Sequence, residues 1–249
     1  MQPSHRVMFA GTRLATPLPE RAAAAAAAGF TAVSIWPGDV VGRNRNAIAH
    51  AIANAGLVTT DMECIGNWLP AHASGRGGWA DAVREATPEK IITLAQELGA
   101  RTVSVVELLG EEWSPLAQAR AFADICDRAA DHNIQVAIEP VPVGAIRDFA
   151  RARELVERCG RANAGIMLDT WHFFRSRSSL DDLAACPGEL VFSVQLNDAP
   201  QQAEGDLNAG MMRRGLPGEG ELDLRGFMQA LAETGTNAPI GVETFSPEL

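Results

Sequence analysis

The sequence predicts one (β/α)8 barrel, on three observations. Short apolar runs alternate from end to end with helix-like stretches, the alternation amounts to eight strands and seven helices, and four strand ends carry an acid or an amide. Strict alternation implies parallel strands joined by right-handed crossovers. No Gly/Ser-rich linker or shift of composition divides the 249 residues, so 1–249 reads as a single domain. An open Rossmann-type sheet is the competing arrangement. No GxGxxG follows the first strand, and only a barrel brings well-separated strand ends to one mouth.

The first strand is placed near Val7–Ala10, before an Ala-rich helix from Pro19 to Ala28 that Gly29 stops. Ala32–Trp36 forms the second, followed by a helix near Asn44–Ala55 closed by Gly56. The third, about Val58–Cys64, opens into a Gly-rich loop, Gly66–Asp81, that carries Trp68, His72 and Trp79. Thr87-Pro-Glu-Lys90 starts the next helix with a capping residue and Pro at the first position, and Gly99 ends it. Thr102–Leu108 is the fourth strand, with a helix from Pro115 to about His132; Gln135–Glu139 is the fifth, with a helix from about Asp148 to Cys159. Gly165–Asp169 forms the sixth, before a short helix at Leu180–Ala185. Leu190–Leu196 and a long loop lead to a helix at Leu224–Glu233, and Ile240–Thr244 is the eighth strand. The expected closing helix is missing after it. Either the chain is truncated, or a partner or loop covers that flank, so homo-oligomerisation or a truncated chain is anticipated.

Composition narrows the function. The net charge of −10 is spread along the chain, which argues against nucleic acid, whose phosphates need a basic footprint. No stretch has the roughly 20 apolar residues of a membrane span. Cys64, Cys126, Cys159 and Cys186 form no CxxC pair and suit buried thiols in a reducing cytosol, so a cytoplasmic protein is expected.

The chemistry gathers at the strand ends. Val136-Ala-Ile-Glu139, Ile166-Met-Leu-Asp169, Val194-Gln195 and Gly241-Val-Glu243 each deliver an oxygen-bearing side chain after an apolar run. A carboxylate there is costly unless it meets a metal, a proton or a positive charge. Glu139, Asp169, Gln195 and Glu243 therefore form a candidate hard-oxygen metal set, suited to Mn²⁺, Mg²⁺ or Co²⁺, with Zn²⁺ also admissible. Asp198 is an alternative ligand. Salt bridges to barrel arginines are the plainer reading of the acids, and Asp169 taken alone could simply cap the next turn. His172, one helical turn past Asp169, is a candidate substrate contact, as are Trp171, His72 and Arg214 or its neighbour Arg213 in the Gly-rich loop after the seventh strand.

The pieces Ile138-Glu-Pro, Leu168-Asp-Thr-Trp-His172, Gln195-Leu-Asn-Asp198, Arg214-x-x-Pro-Gly-Glu-Gly220 and Val242-Glu243 resemble the xylose isomerase-like barrel superfamily. Its members include sugar and sugar-phosphate isomerases, ketose 3-epimerases, inosose and dehydroshikimate dehydratases and the endonuclease IV (AP endonuclease family 2) group. The resemblance implies that Glu139, Asp169 and Glu243 are carboxylate ligands, that the two glutamates are also the acid/base pair, and that His172 and Arg214 bind substrate. Gln195 stands where the ketose epimerases usually have His; an amide there resembles some dehydroshikimate dehydratases. The expected activity is a divalent-metal-dependent sugar or sugar-phosphate isomerase or epimerase. It would remove a proton next to the carbonyl of a small polyhydroxylated substrate through a metal-stabilised enediolate. A metal-dependent dehydratase (lyase) is the alternative, and a non-catalytic sugar-binding barrel a further one.

Overall fold

Strands form where the sequence has short β-branched and apolar runs, which suit a sheet covered on both faces. The computed structural model describes residues 2–70, 84–110, 113–202 and 205–245. Its strands are β1 (Arg6–Met8), β2 (Ala32–Ile35), β3 (Val58–Ile65), β4 (Thr102–Val105), β5 (Gln135–Ile138), β6 (Ala164–Asp169), β7 (Val191–Leu196) and β8 (Ile240–Val242). Each pairs in parallel with its sequence neighbours, and β1 also pairs with β8, which closes the eight-stranded barrel the alternation predicts.

Between the strands lie α1 (Leu18–Ala27), α2 (Arg45–Asn54), α3 (Pro88–Leu98), α4 (Pro115–Ala130) and α5 (Phe149–Cys159). Past β6 come α6 (Thr170–Arg175) and α7 (Leu180–Ala184), and past β7 come α8 (Leu207–Met211) and α9 (Leu224–Glu233). Asn44, Thr87, Ser114, Asp148 and Ser179 each accept a hydrogen bond from the backbone N–H three residues on. Each thereby satisfies one of the donors a helix start leaves unpaired. The main core lies between barrel and helices and includes Met62 and Ile65 of β3, Ile91 and Leu94 of α3, Phe122 of α4 and Phe149 of α5. Among the described residues no helix is long and apolar enough to cross a membrane. The four cysteines are free thiols, three of them buried.

Inside the barrel, an apolar plug of Val7, Phe9, Ala32, Ala137, Met167 and Phe192 fills one part. Gly165 makes room for it, since a Cβ there would lie 2.4 Å from the Phe192 ring. The remaining inward positions are polar and buried: Ser34, Asp61, Glu63, Ser104, Ser193 and Gln195. Alternation along β3 sends Asp61 and Glu63 inward and Met62 outward.

Several boundaries differ from the expectation. β4 stops at Val105 rather than Leu108, because the Glu107 carboxylate accepts Leu109 N at 2.8 Å and Gly110 N at 3.1 Å and turns the chain. Two short helices, α6 and α8, are added to the seven that the alternation predicts. α6 starts directly at β6 because Asp169 caps it, Oδ1 accepting His172 N at 2.9 Å. On the other side, Arg21 of α1 is fully buried and pairs with Asp39, Nη1 donating to Oδ1 at 3.1 Å. Asp39 in turn accepts Trp36 N at 2.9 Å, which fixes Trp36 at the end of β2. Residues after Phe245, on which the expectation of a missing closing helix bears, lie outside the described residues.

Candidate active site

The C-terminal ends of the strands bring Glu139, Asp169, Gln195 and Glu243 to one mouth. Asp169 stands opposite Gln195 in the β6–β7 pairing, and Gln195 opposite Gly241 in β7–β8. Glu139 follows β5, with its N–H donating to Val105 O at 2.9 Å. Glu243 follows β8, its N–H donating to Leu196 O at 3.0 Å. All four are buried.

Asp169 divides its two oxygens. Oδ1 caps α6, the plainer role the sequence allowed, while Oδ2 accepts Asn197 Nδ2 and Arg214 Nη1, each at 2.7 Å. Asn197 is held by Thr170, whose hydroxyl donates to Asn197 O at 2.8 Å and accepts Asn197 N at 2.9 Å. Glu139, Asp169 and His172 each place a ligand atom within 4.8 Å of the other two. Sequence assigned His172 to substrate; geometry sets its Nε2 3.4 Å from Glu139 Oε1.

Arg214, not Arg213, enters the mouth: Arg214 is buried and Arg213 exposed. Its Nε donates to Met211 O at 2.8 Å, Nη1 lies 3.7 Å from Glu243 Oε2, and Nη2 lies 3.3 Å from His172 Nε2. The guanidinium stacks on Phe245 at 5.0 Å and Trp171 at 5.5 Å, an arrangement a lysine could not copy. Trp171 is thus a buried platform under Arg214 rather than part of the wall, which Trp36, Met212 and Phe245 provide. Asp198, the alternative ligand, is occupied elsewhere. It accepts Ala199 N and Leu222 N on Oδ1 and Gly218 N on Oδ2, and so staples the loop that carries Arg214. His72 lies outside the described residues.

The mouth encloses about 90 Å³ and shares Trp36, Glu63, Cys64, Val106 and Leu108 with a side opening of about 210 Å³ that reaches Lys90. The Lys90 side chain, near the start of α3, is 43% exposed and borders this side opening. A larger cavity of about 300 Å³ lies at the opposite end of the barrel, by His5, Arg101 and Asn237. None of the strand-end acids lines it, and functional sites of this fold sit at the other end.

Two acids were missed by the sequence reading. Glu63 and Asp61 are buried inside β3. The signal that could have found them is the spacing of two in Asp61-x-Glu63, which points both side chains the same way. Burial, then the neighbouring Asp61, pushes the Glu63 carboxyl up to about 7, tempered by the nearby Ser34, Trp36 and Gln195, of which only Gln195 reaches hydrogen-bond geometry. Glu139 and Glu243 are held well above the usual carboxylate range, first by burial and then by the surrounding acids, with Arg214 opposing. Burial above all pushes His172 down to about 3, so the imidazole is neutral and can accept from Arg214. Burial and the charges of Glu139, Glu63 and Glu243 push the Cys64 thiol up, which removes it as a nucleophile.

The residues fit a divalent cation. Buried polar atoms ordinarily find partners, yet Glu243 Oε1, Glu63 Oε1 and Gln195 Oε1 are buried without one. Carboxylates crowded this way repel unless protons or a cation intervene. The oxygen-rich donor set of Glu139, Asp169, Gln195 and Glu243 is the kind that hard divalent ions take.

A family model described as xylose isomerase-like TIM barrel matches residues 22–249. A 3-dehydroshikimate dehydratase of Pseudomonas aeruginosa is 29% identical over 247 residues, 96% of this chain and 38% of that protein. This chain thus spans well under half of that relative's length. An inosose isomerase of Bacillus velezensis is 28% identical over 170 residues, 64% of this chain and 59% of that protein. Among solved structures, the IOLI protein with a bound zinc atom superposes with a TM-score of 0.80 at 20% identity, covering 98% of this chain and 90% of that one. That likeness is one of fold.

Proposed function

The chain belongs to the xylose isomerase-like TIM barrel family, and from that premise we propose that it is a divalent-metal-dependent isomerase or epimerase of a small polyhydroxylated carbonyl compound. One observation carries the reading. Two buried glutamates with raised pKa values, Glu139 and Glu243, face one mouth together with unpartnered ligand oxygens. A cation held by Glu139, Asp169, Gln195 and Glu243 would supply Lewis-acid polarisation of the substrate's carbonyl oxygen.

This chain's residues do the rest. One glutamate takes the proton next to the carbonyl, leaving an enediolate. The other, approaching from a strand three places away around the barrel, returns a proton to the neighbouring carbon or the opposite face. A raised pKa suits both to carrying a proton near neutral pH. Arg214 and neutral His172 offer a fixed donor pair and a ring nitrogen to substrate hydroxyls. Trp36 and Phe245, 5.3 Å apart, shield the mouth from water.

Dehydration is the second reading, favoured by the amide of Gln195 and by a dehydratase relative aligned over 96% of this chain. There the proton-bearing glutamate would donate to a departing β-hydroxyl. The test is NMR in D₂O with Mn²⁺ and a panel of keto-sugars, inososes and dehydroshikimate. Deuterium next to the carbonyl in an isomeric product supports the first reading, and an unsaturated product with loss of water the second. Mn²⁺ uptake with no exchange on any member of the panel overturns both.

A further inference from the structure

Resting on the cation reading above, we propose that Glu63 is a positioning residue that turns the Gln195 amide so that its carbonyl oxygen faces the carboxylate set. A primary amide is a ligand by one end only, and its NH₂ would repel a cation. An ionised carboxylate, the form a nearby cation favours, accepts and cannot donate, so in that state a glutamate beside an amide decides which end it attracts. Gln195 Nε2 donates to Glu63 Oε2 at 3.0 Å, which leaves Gln195 Oε1 fully buried with no partner in the protein. The opposite orientation would set carbonyl against carboxylate and NH₂ against the cation position.

Glu63 is itself placed by its strand. Alternation along β3 sends it into the barrel, where the Ser34 hydroxyl and Trp36 indole lie nearby without reaching hydrogen-bond geometry. Ser34 Oγ is held in turn by accepting Ala10 N at 2.8 Å. The strand-end reading of the sequence assigns Glu63 nothing, and the proton transfers above do not use it. Its carboxylate instead explains why an uncharged amide can stand among three acids: the hydrogen bond fixes it as an oxygen donor.

The experiment is a double-mutant cycle on Mn²⁺ affinity by calorimetry, with no substrate. The proteins are the wild type, Glu63→Gln, Gln195→Ala and the double variant, each checked for an intact thermal transition. Glu63→Gln keeps size and shape but lets residue 195 flip. It should weaken Mn²⁺ about 10–100-fold in the presence of Gln195, and by under about threefold in the Gln195→Ala background. Glu63→Asp, which keeps an acceptor on a shorter arm, gives the same comparison should Glu63→Gln fold poorly. Equal losses in both backgrounds mean that Glu63 acts through charge alone and overturn the inference while leaving the metal reading intact. A wild-type chain that takes up no Mn²⁺ sinks the metal reading and this inference with it.

Discussion

Glu139 and Glu243 are costly residues to bury, and that cost marks them as the working groups. Replacing either by Gln removes a proton carrier and a ligand charge together. Glu139→Gln and Glu243→Gln should each lower kcat/KM by about 10²-fold or more. Lys90→Ala should leave turnover unchanged, since its amine is exposed and 3.6 Å from Glu85, whereas a Schiff-base lysine must be desolvated. Substrate trapped on Lys90 by borohydride would reverse that expectation. Asp61 makes a separate prediction at the same scale. Burial raises its carboxyl from 3.8 to about 6, and the nearby Thr60 and Ser193 hydroxyls temper the rise without reaching hydrogen-bond geometry. An acid whose folded pKa is raised favours the fold when protonated, so its contribution is intact below pH 3.8 and lost as pH climbs through about 6. At pH 8 the ionised group costs up to about 3 kcal/mol. Asp61→Asn should therefore stabilise the protein at pH 8 and have little effect at pH 4. Urea melts of wild type and variant at the two pH values decide it; an equal shift at both would detach the effect from ionisation.

At the level of elements, the acids differ in how visible they are. Glu139, Asp169 and Glu243 could be found because each ends an apolar run, and a buried strand read along its length is mostly apolar. Glu63 escaped because it lies within its strand, where one face looks into the barrel and period two replaces the continuous apolar signal. Glu107 shows the limit of that signal: it follows the stretch Val103-Ser-Val-Val106 much as the others follow theirs, yet its carboxylate accepts the backbone amides of Leu109 and Gly110. Only the three-dimensional partners separate ligand from staple. The Arg21–Asp39 pair was equally hidden, since an arginine opening a run of seven alanines reads as a solvated helix end. Removing one partner of a buried ion pair leaves an uncompensated charge, so Arg21→Ala should cost about 3–5 kcal/mol. Adding Asp39→Asn should recover part of it, because the amide oxygen still accepts Trp36 N. Chemical denaturation measures both; a loss below about 1 kcal/mol for Arg21→Ala would place the pair among weak surface bridges.

For the whole molecule, the alternation of strands and helices made the barrel legible, but not how its two ends meet. Closure depends on β1 lying against β8, with Val7 opposite Gly241. An added Cβ at Gly241 would fall 1.9 Å from Val7 O and 2.6 Å from its carbonyl carbon, both backbone atoms that cannot move without parting the strands. At Gly165 the obstacle is the buried Phe192 ring at 2.4 Å, a side chain rather than backbone. The two substitutions therefore add the same methyl group against different resistance. Overpacking a core costs about 1–3 kcal/mol and more where backbone must shift. Gly165→Ala should keep a cooperative melt at a lowered Tm. Gly241→Ala should lose more stability and, because Glu243 follows two residues later, weaken Mn²⁺ binding as well. The two thermal melts and a Mn²⁺ titration rank the variants; a Gly241→Ala protein with the parent's Tm would show that the barrel does not close through this seam.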